Sequence, residues 1–193
     1  MSQREDAQNL FTETLAWICS KLESAEIPYM ITGGSAVGFW GHIRTTMDID
    51  IVIQVPVNKI NPFLSSVKEE AYVDEQGAIE SIADRSMFNI INNETCFKVD
   101  IIPLNEKDEY EIENFKNRIK VNFQNKEIFV AGPEGLIISK LLWSKSAGGS
   151  ERQLKDCMSI YALNREKLNL DYLKKWVQKL GIEEDFNKLT LDT

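Results

Sequence analysis

The chain has 193 residues, 43% of them hydrophobic and 27% charged, which is typical of a globular protein large enough to bury a core. Its 22 basic and 30 acidic residues leave a net charge of −8, which argues against an enzyme that grips long nucleic acids through a basic surface. One histidine and three widely spaced cysteines argue against a histidine-based metal centre or a disulfide framework, and predict buried thiols.

The spacing of apolar residues predicts an α+β fold. Taken in chain order, strands are predicted at residues 27–32, 48–55, 87–91, 96–102, 119–123 and 127–130. Helices are predicted at residues 6–24, 35–40, 60–70, 78–84, 107–117, 133–145, 151–164 and 171–180. Because only helices follow Gly132-Pro133, we divide the chain into a core, residues 1–131, and a C-terminal helical subdomain, residues 132–193, expected to pack on that core.

A glycine pair lies between the first predicted strand and the helix that follows, in the sequence Gly33-Gly34-Ser35. Glycines let the backbone approach a ligand closely, and the N–H groups at the start of a helix attract anions. This segment therefore predicts a site for phosphate groups.

Two acids, Asp48 and Asp50, lie on the next predicted strand. Successive side chains of a strand point to opposite faces, so both carboxylates point one way while Ile49 and Ile51 point the other way. Two like charges about 4 Å apart repel by about 4 kcal/mol at an effective dielectric of about 20, which a bound cation would relieve. An edge strand with solvated acids is the alternative if this strand is considered alone.

A third acid, Asp100, lies in an apolar strand between Val99 and Ile101. A carboxylate in that position is costly to bury unless it is paired or binds a metal. The glycine turn, the paired acids and this single acid together favour a site for metal and phosphate more strongly than any of them does alone.

These motifs resemble the nucleotidyltransferase superfamily of DNA polymerase β. The segment from Arg44 to Asp50, Arg-Thr-Thr-Met-Asp-Ile-Asp, together with Gly33-Gly34-Ser35, is most similar to a small bacterial branch. That branch contains abortive-infection-type toxins and lincosamide or aminoglycoside nucleotidyltransferases. The resemblance covers roughly residues 27–160. It implies a polymerase-β-like fold, a five-stranded mixed sheet flanked by helices, and transfer of a nucleoside monophosphate from an NTP to an acceptor hydroxyl.

The resemblance also implies a role for each site residue. The acids expected to hold two Mg²⁺ ions, or Mn²⁺ in their place, in a two-metal mechanism are Asp48, Asp50 and Asp100. The residues expected to bind the nucleotide are Gly33, Gly34, Ser35, Arg44, Lys140 and Asp156. Two of these have ordinary alternatives: Lys140 as a solvent-facing lysine, and Asp156 as the partner of Arg152 one helical turn away.

Three functions follow from this resemblance. The leading one is transfer to an RNA end or a protein hydroxyl, as in a toxin–antitoxin or defence system. The others are transfer to a small molecule such as an antibiotic, and a non-catalytic nucleotide-binding or antitoxin-like protein. The expected partners are an NTP such as ATP, the acceptor, and a second copy of the chain or an antitoxin. The polar start and the lack of an apolar run near 18 residues predict a cytoplasmic protein without a membrane anchor.

Overall fold

A computed structural model of the chain describes residues 3–42, 46 and 48–191. Their internal contacts divide them into two compact units, one formed by residues 3–35, 46 and 48–130 and the other by residues 36–42 and 131–191. The sequence-based boundary placed everything before residue 132 in the core, whereas here residues 36–42 belong with the C-terminal helices. The packing of the helical subdomain on the core stays a prediction.

Within the described residues, the first unit contains seven strands in one mixed sheet. The strands are β1 Tyr29–Thr32, β2 Asp48–Ile53, β3 Ala71–Val73, β4 Phe88–Asn92, β5 Lys98–Pro103, β6 Ile119–Phe123 and β7 Lys126–Val130. Their order across the sheet is β3-β4-β5-β2-β1-β7-β6. The pairs β2–β5 and β1–β7 are parallel, and the other pairs are antiparallel. The mixed sheet with helices confirms the predicted fold class, with seven strands where the resemblance implied five.

The helices are α1 Gln3–Ser24, α2 Gly33–Trp40, α3 Ile60–Lys68, α4 Glu75–Asp84, α5 Glu109–Lys116, α6 Pro133–Ser146, α7 Glu151–Asn164, α8 Leu170–Leu180 and α9 Glu183–Leu191. A short 3₁₀ turn, Val57–Lys59, precedes α3. None of the helices within residues 3–42, 46 and 48–191 has the length and apolar character needed to cross a membrane.

The core of the first unit lies on one face of the sheet. Ile49, Ile51 and Ile53 of β2 have no exposed surface, whereas the alternate residues of that strand are partly exposed. Helix α1 buries an apolar stripe at helical spacing, including Leu15 and Leu22. Because strand side chains alternate, the partly exposed residues of β2 lie on the opposite face of the sheet, which we call the open face. The acids of β2 belong to the open face.

Residues 36–42 have contacts with the helices of the second unit. The indole Nε1 of Trp40 donates to the carbonyl of Ala131 at 2.7 Å, and Asn164 Nδ2 donates to the carbonyl of Trp40 at 2.6 Å. The backbone N–H of His42 donates to Ser159 Oγ at 2.8 Å. These hydrogen bonds join the end of α2 to the start of α6 and to α7.

Several elements differ from the sequence-based prediction. Strand β3 was missed because it is three residues long and carries no periodic signal; it forms by antiparallel pairing with β4. Helix α4 begins earlier than predicted because Asp74 caps it, accepting from the backbone N–H of Gly77 at 3.0 Å. Helix α9 was also missed. Cys96 is exposed, so the expectation of three buried thiols was wrong at that residue and holds for Cys19 and Cys157.

Candidate active site

The parallel pairing of β2 with β5 brings the three predicted acids together. In register, Asp50 lies directly beside Asp100, and Asp48 lies beside Lys98. Adjacent strands are about 4.8 Å apart, and residues in register on parallel strands project to the same face. Asp48 and Asp50 lie two positions apart on β2 and share that face. The three carboxylates therefore form a cluster on the open face of the sheet.

Each carboxylate has a hydrogen-bond donor from the protein. Asp48 Oδ1 accepts from Thr46 Oγ1 at 2.8 Å, and Asp50 Oδ2 accepts from the backbone N–H of Gly34 at 3.1 Å. Asp100 is 5% exposed, and its Oδ2 accepts from Lys98 Nζ at 2.8 Å. The other oxygen of Asp100, Oδ1, is buried and has no hydrogen-bond partner among the described residues. A buried carboxylate oxygen without a partner is costly, so this atom is chemically suited to a ligand.

The three acids do not form a preorganised metal site. Among residues 3–42, 46 and 48–191, no three His, Cys, Asp or Glu side chains are gathered closely enough to hold a metal ion. In this structure each of the three carboxylates accepts a hydrogen bond from a donor of the protein.

Lys98 is a member of this cluster that sequence reasoning missed. Its hydrogen bond to Asp100 raises the pKa of the ammonium above its ordinary value, and the charges of Asp100, Asp48 and Asp50 add to that effect against the opposing effect of burial. The signal was present in the sequence. Lys98 stands two positions before Asp100 on a strand, so the two side chains had to share a face.

The glycine turn contacts Asp50 directly. Gly33 has a φ of +59°, and a Cβ built on it would lie 2.0 Å from Asp50 Oδ2. Any other residue would therefore be strained and would collide with the carboxylate. Strand β1 ends at Thr32 and α2 begins at Gly33, so the glycine pair is the first turn of a helix rather than a separate loop.

Ser35 ties this turn to β1 and β2. Its hydroxyl donates to the carbonyl of Thr32 at 2.9 Å and accepts from the backbone N–H of Asp50 at 3.4 Å. The side chain is buried. The structure thus places Gly33, Gly34 and Ser35 against Asp50, and their phosphate-binding role stays a prediction.

The remaining predicted residues belong elsewhere. Arg44 lies outside the described residues. Lys140 and Asp156 are in the second unit, on α6 and α7, where Lys140 Nζ lies 2.8 Å from Asp156 Oδ2. Their side chains are 5% and 1% exposed, so the alternative of Lys140 as a solvent-facing residue was wrong.

Two other polar side chains, those of Gln153 and His42, lie beside this buried pair. Gln153 Oε1 accepts from Lys140 Nζ at 2.9 Å, and His42 Nε2 lies 3.6 Å from Asp156 Oδ1. The lysine and the aspartate thus each have a second polar neighbour within the second unit. A nucleotide-binding role for Lys140 and Asp156 stays a prediction.

Comparison with solved structures identifies the fold. No protein-family model matches the sequence, and no curated protein matches it. Solved structures do match. An antigenic nucleotidyltransferase-like protein from Paracoccidioides brasiliensis has a TM-score of 0.60 and 18% identity, covering 94% of this chain and 94% of that chain.

Two antibiotic-related proteins have a similar fold. The antibiotic-resistance factor ANT(2'')-Ia has a TM-score of 0.59 and 10% identity, covering 97% of both chains. The lincosamide antibiotic adenylyltransferase LnuA, solved with lincomycin bound, has a TM-score of 0.52 and 16% identity, covering 78% of this chain and 96% of that chain. At these identities the likeness is one of fold. The chain therefore has the nucleotidyltransferase fold that its glycine turn and strand acids had indicated.

Proposed function

We propose that the protein is a metal-dependent nucleotidyltransferase that moves a nucleoside monophosphate from an NTP to an acceptor hydroxyl. The observation that carries this proposal is the register of β2 and β5, which sets Asp50 beside Asp100 with Asp48 on the same open face. The turn at Gly33 lies against Asp50. The acids and the glycine turn come from three separate stretches of the sequence. The alternative, an edge strand with solvated acids, does not explain why these stretches meet.

The chemistry of the acids fits Mg²⁺ or Mn²⁺. Both ions prefer carboxylate oxygens, and the buried Oδ1 of Asp100 is such an oxygen, without a hydrogen-bond partner in the part of the chain that the structure describes. Asp48, Asp50 and Asp100 would hold the ions. When bound, the metal lowers the pKa of the acceptor hydroxyl and neutralises charge on the transferred phosphoryl group.

The remaining steps belong to the chain's own residues. Asp100, at the centre of the cluster, would take the proton of the acceptor hydroxyl. Gly33, Gly34 and Ser35 would hold the β- and γ-phosphates close to Asp50, since the turn already contacts that carboxylate. Arg44, Lys140 and Asp156 stay in the proposal as nucleotide-binding residues. For Lys140, contact with phosphate would require leaving Asp156.

The acceptor predicted from the sequence is an RNA end or a protein hydroxyl, with a place in a toxin–antitoxin pair in the cytoplasm. A small-molecule acceptor is the second candidate, and one observation favours it: LnuA, which shares the fold, was solved with lincomycin bound. The net charge of −8 also suits a neutral or cationic acceptor better than a long polyanion.

The test compares the wild type with Asp50→Asn. Thermal unfolding would be followed with each of the four NTPs, with and without Mg²⁺. A ligand that binds only the folded state stabilises it by about 2.7 kcal/mol at a hundredfold excess over Kd. We expect a shift that needs both Mg²⁺ and one NTP and is lost in the variant. The amide oxygen of asparagine can still accept from Gly34, so the turn should keep its position.

Transfer would then be assayed with that NTP labelled at the α-phosphate. Bulk tRNA, a protein extract, lincomycin and an aminoglycoside would serve as acceptors. We expect label on one acceptor class with the wild type and none with Asp50→Asn. Metal-dependent transfer that survives in the variant would contradict the proposed role of the acids. Absence of any NTP shift would favour the non-catalytic alternative.

A further inference from the structure

Lys98 lies within the acid cluster. Its Nζ is 2.8 Å from Asp100 Oδ2, and its position on β5 is in register with Asp48 on β2. The charges of Asp48, Asp50 and Asp100 all act on it. Among the residues that the structure describes, three negative charges and the Lys98 ammonium thus share a small area of the open face. The ammonium reduces the repulsion among these acids.

The contact between Lys98 and Asp100 is incomplete. The ammonium donates to Oδ2 of Asp100, whereas Oδ1 is buried and accepts no hydrogen bond from residues 3–42, 46 or 48–191. A single ammonium has one compact charge, whereas a divalent cation can bind oxygens of several carboxylates at once. Lys98 therefore neutralises the cluster in part, and the carboxylates retain capacity for a stronger cation.

The position of Lys98 allows it to move. Its side chain is 39% exposed, against 6% for Asp100. A lysine has a flexible four-carbon stem, so the ammonium can leave Asp100 without a change in the backbone. Ile91 of β4 is in register with Lys98 and is 38% exposed. It offers an apolar surface along which the stem could lie while the ammonium stays in water.

We propose that Lys98 is a resident counter-ion of the acid cluster, which positions Asp100 and competes with the divalent cation for that carboxylate. Binding of the cation displaces the Lys98 ammonium from Asp100 Oδ2. Lys98 thus sets the cation concentration at which the site fills. This inference rests on the proposed function in one respect, namely that the cation binds these acids.

The test uses Lys98→Met, which keeps the length of the side chain and removes the charge. Mn²⁺ binding would be measured directly, from the EPR signal of the free ion, with no NTP present. We expect Lys98→Met to bind Mn²⁺ roughly tenfold more tightly than the wild type, since a competing positive charge is lost from a partly exposed cluster. Lys98→Arg keeps the charge and is expected to bind Mn²⁺ as the wild type does.

A matched control is available on the same sheet. Lys120 of β6 is 55% exposed and pairs with Glu127 of β7. Lys120→Met makes the same change in net charge away from the acids, and should leave Mn²⁺ affinity unchanged. Thermal unfolding gives an independent readout. In EDTA, Lys98→Met should unfold at a lower temperature than Lys120→Met, and saturating Mn²⁺ should remove the difference.

The outcomes separate this inference from the proposed function. If the wild type binds Mn²⁺ and Lys98→Met binds it no more tightly, Lys98 is not a competing counter-ion, and the role of the acids is untouched. Equal gains in Lys98→Met and Lys120→Met would also overturn the inference, since they would reflect net charge alone. If neither the wild type nor Lys98→Met binds Mn²⁺, the proposed function fails, and the inference fails with it.

Discussion

Lys98–Asp100 lies in the first unit and Lys140–Asp156 in the second, and these two lysine–aspartate pairs differ in exposure rather than in distance. Lys98–Asp100 and Lys140–Asp156 both have an Nζ–Oδ2 distance of 2.8 Å. The Lys98 side chain is 39% exposed, whereas that of Lys140 is 5% exposed. Water or a ligand can replace the first lysine, and neither can easily reach the second. Lysine–aspartate contacts of the same length can therefore be exchangeable in the first unit and structural in the second.

The energetic consequence follows from solvation. A pair near water gains little net free energy, because water screens the charges and competes for both groups. Breaking a buried pair leaves one charge without a partner in a poorly solvated place, which is strongly destabilising. The four predictions below test this contrast, beginning with the largest expected effect.

The first prediction concerns Asp100→Asn, which removes the negative charge from the Lys98–Asp100 pair. We expect nucleotidyl transfer to fall by at least about a hundredfold, because loss of a cation ligand removes several kcal/mol of transition-state stabilisation. The measurement is the single-turnover rate with a labelled NTP and the accepted acceptor. Glu127→Gln, in the exposed Lys120–Glu127 pair of β6 and β7, is the control and should retain full activity. Transfer at the wild-type rate in Asp100→Asn would show that this acid holds no cation.

The second prediction contrasts Lys140→Met with Lys98→Met in urea unfolding. Lys140→Met leaves Asp156 buried and deprived of its lysine, so we expect a loss of about 3–5 kcal/mol in the free energy of unfolding. Lys98→Met also leaves a buried aspartate, but the Lys98 side chain is 39% exposed and water can reach its place, so we expect a smaller loss of about 1–2 kcal/mol. Equal losses in the two variants would mean that exposure does not distinguish the pairs.

The third prediction concerns two glycines of one helix, Gly33 and Gly38. Gly33→Ala should cost about 1–2 kcal/mol from the left-handed backbone alone, and its methyl group should displace the Asp50 carboxylate and reduce transfer. A Cβ at Gly38 would have no atom of the described residues within 4 Å, so Gly38→Ala should be neutral or stabilise α2 by up to about 1 kcal/mol. Urea unfolding and the transfer assay on both variants provide the check. A Gly33→Ala protein with normal activity would show that the close approach to Asp50 is dispensable.

The fourth prediction uses one buried thiol in each unit. Burial raises the pKa of Cys19 and of Cys157 from the ordinary 9.0 to about 12. The folded protein then holds these protons above pH 9, where the unfolded chain loses them. Their contribution to stability is therefore complete below about pH 9 and is lost as the pH rises toward 12. Urea unfolding from pH 8 to 11 measures that decline, which should be smaller in Cys157→Ala.

Alkylation gives a simpler comparison of the same thiols. At pH 8 iodoacetamide should modify Cys96, which is exposed, and leave Cys19 and Cys157 intact until their unit opens. Mass spectrometry of the digested protein would give the three rates. Rapid labelling of Cys19 or Cys157 in the folded protein would contradict their burial.

Much of the first unit could be predicted because its signals are local. Alternating apolar residues mark β2, and the glycine pair and Asp100 are unusual within their own short segments. The register that sets Asp50 beside Asp100 could not be predicted from these segments, since it depends on pairing between residues distant in sequence. Strand β3 was missed for the same reason, because three residues become a strand only when a partner strand is present.

The second unit was harder to interpret. The helices α6 and α7 were predicted from their patterns, but an isolated Lys140 in an apolar helix is compatible with either a surface or a buried position. Its burial depends on Asp156, which lies on another helix. The sequence suggested Arg152 as a neighbour of Asp156 because that pair is local. Pairs that join two helices leave no such local signal.

The register of β2 and β5 has a consequence for how this protein could vary. Because the alignment of Asp50 with Asp100 is set by hydrogen bonds between two strands, it does not depend on the length of chain that joins them. The connection from Gln54 to Phe97 could gain or lose residues in its surface segments, as loops commonly do, and the acids would still meet. The surface segments between the second and third acids can therefore change in length while Asp50 stays beside Asp100.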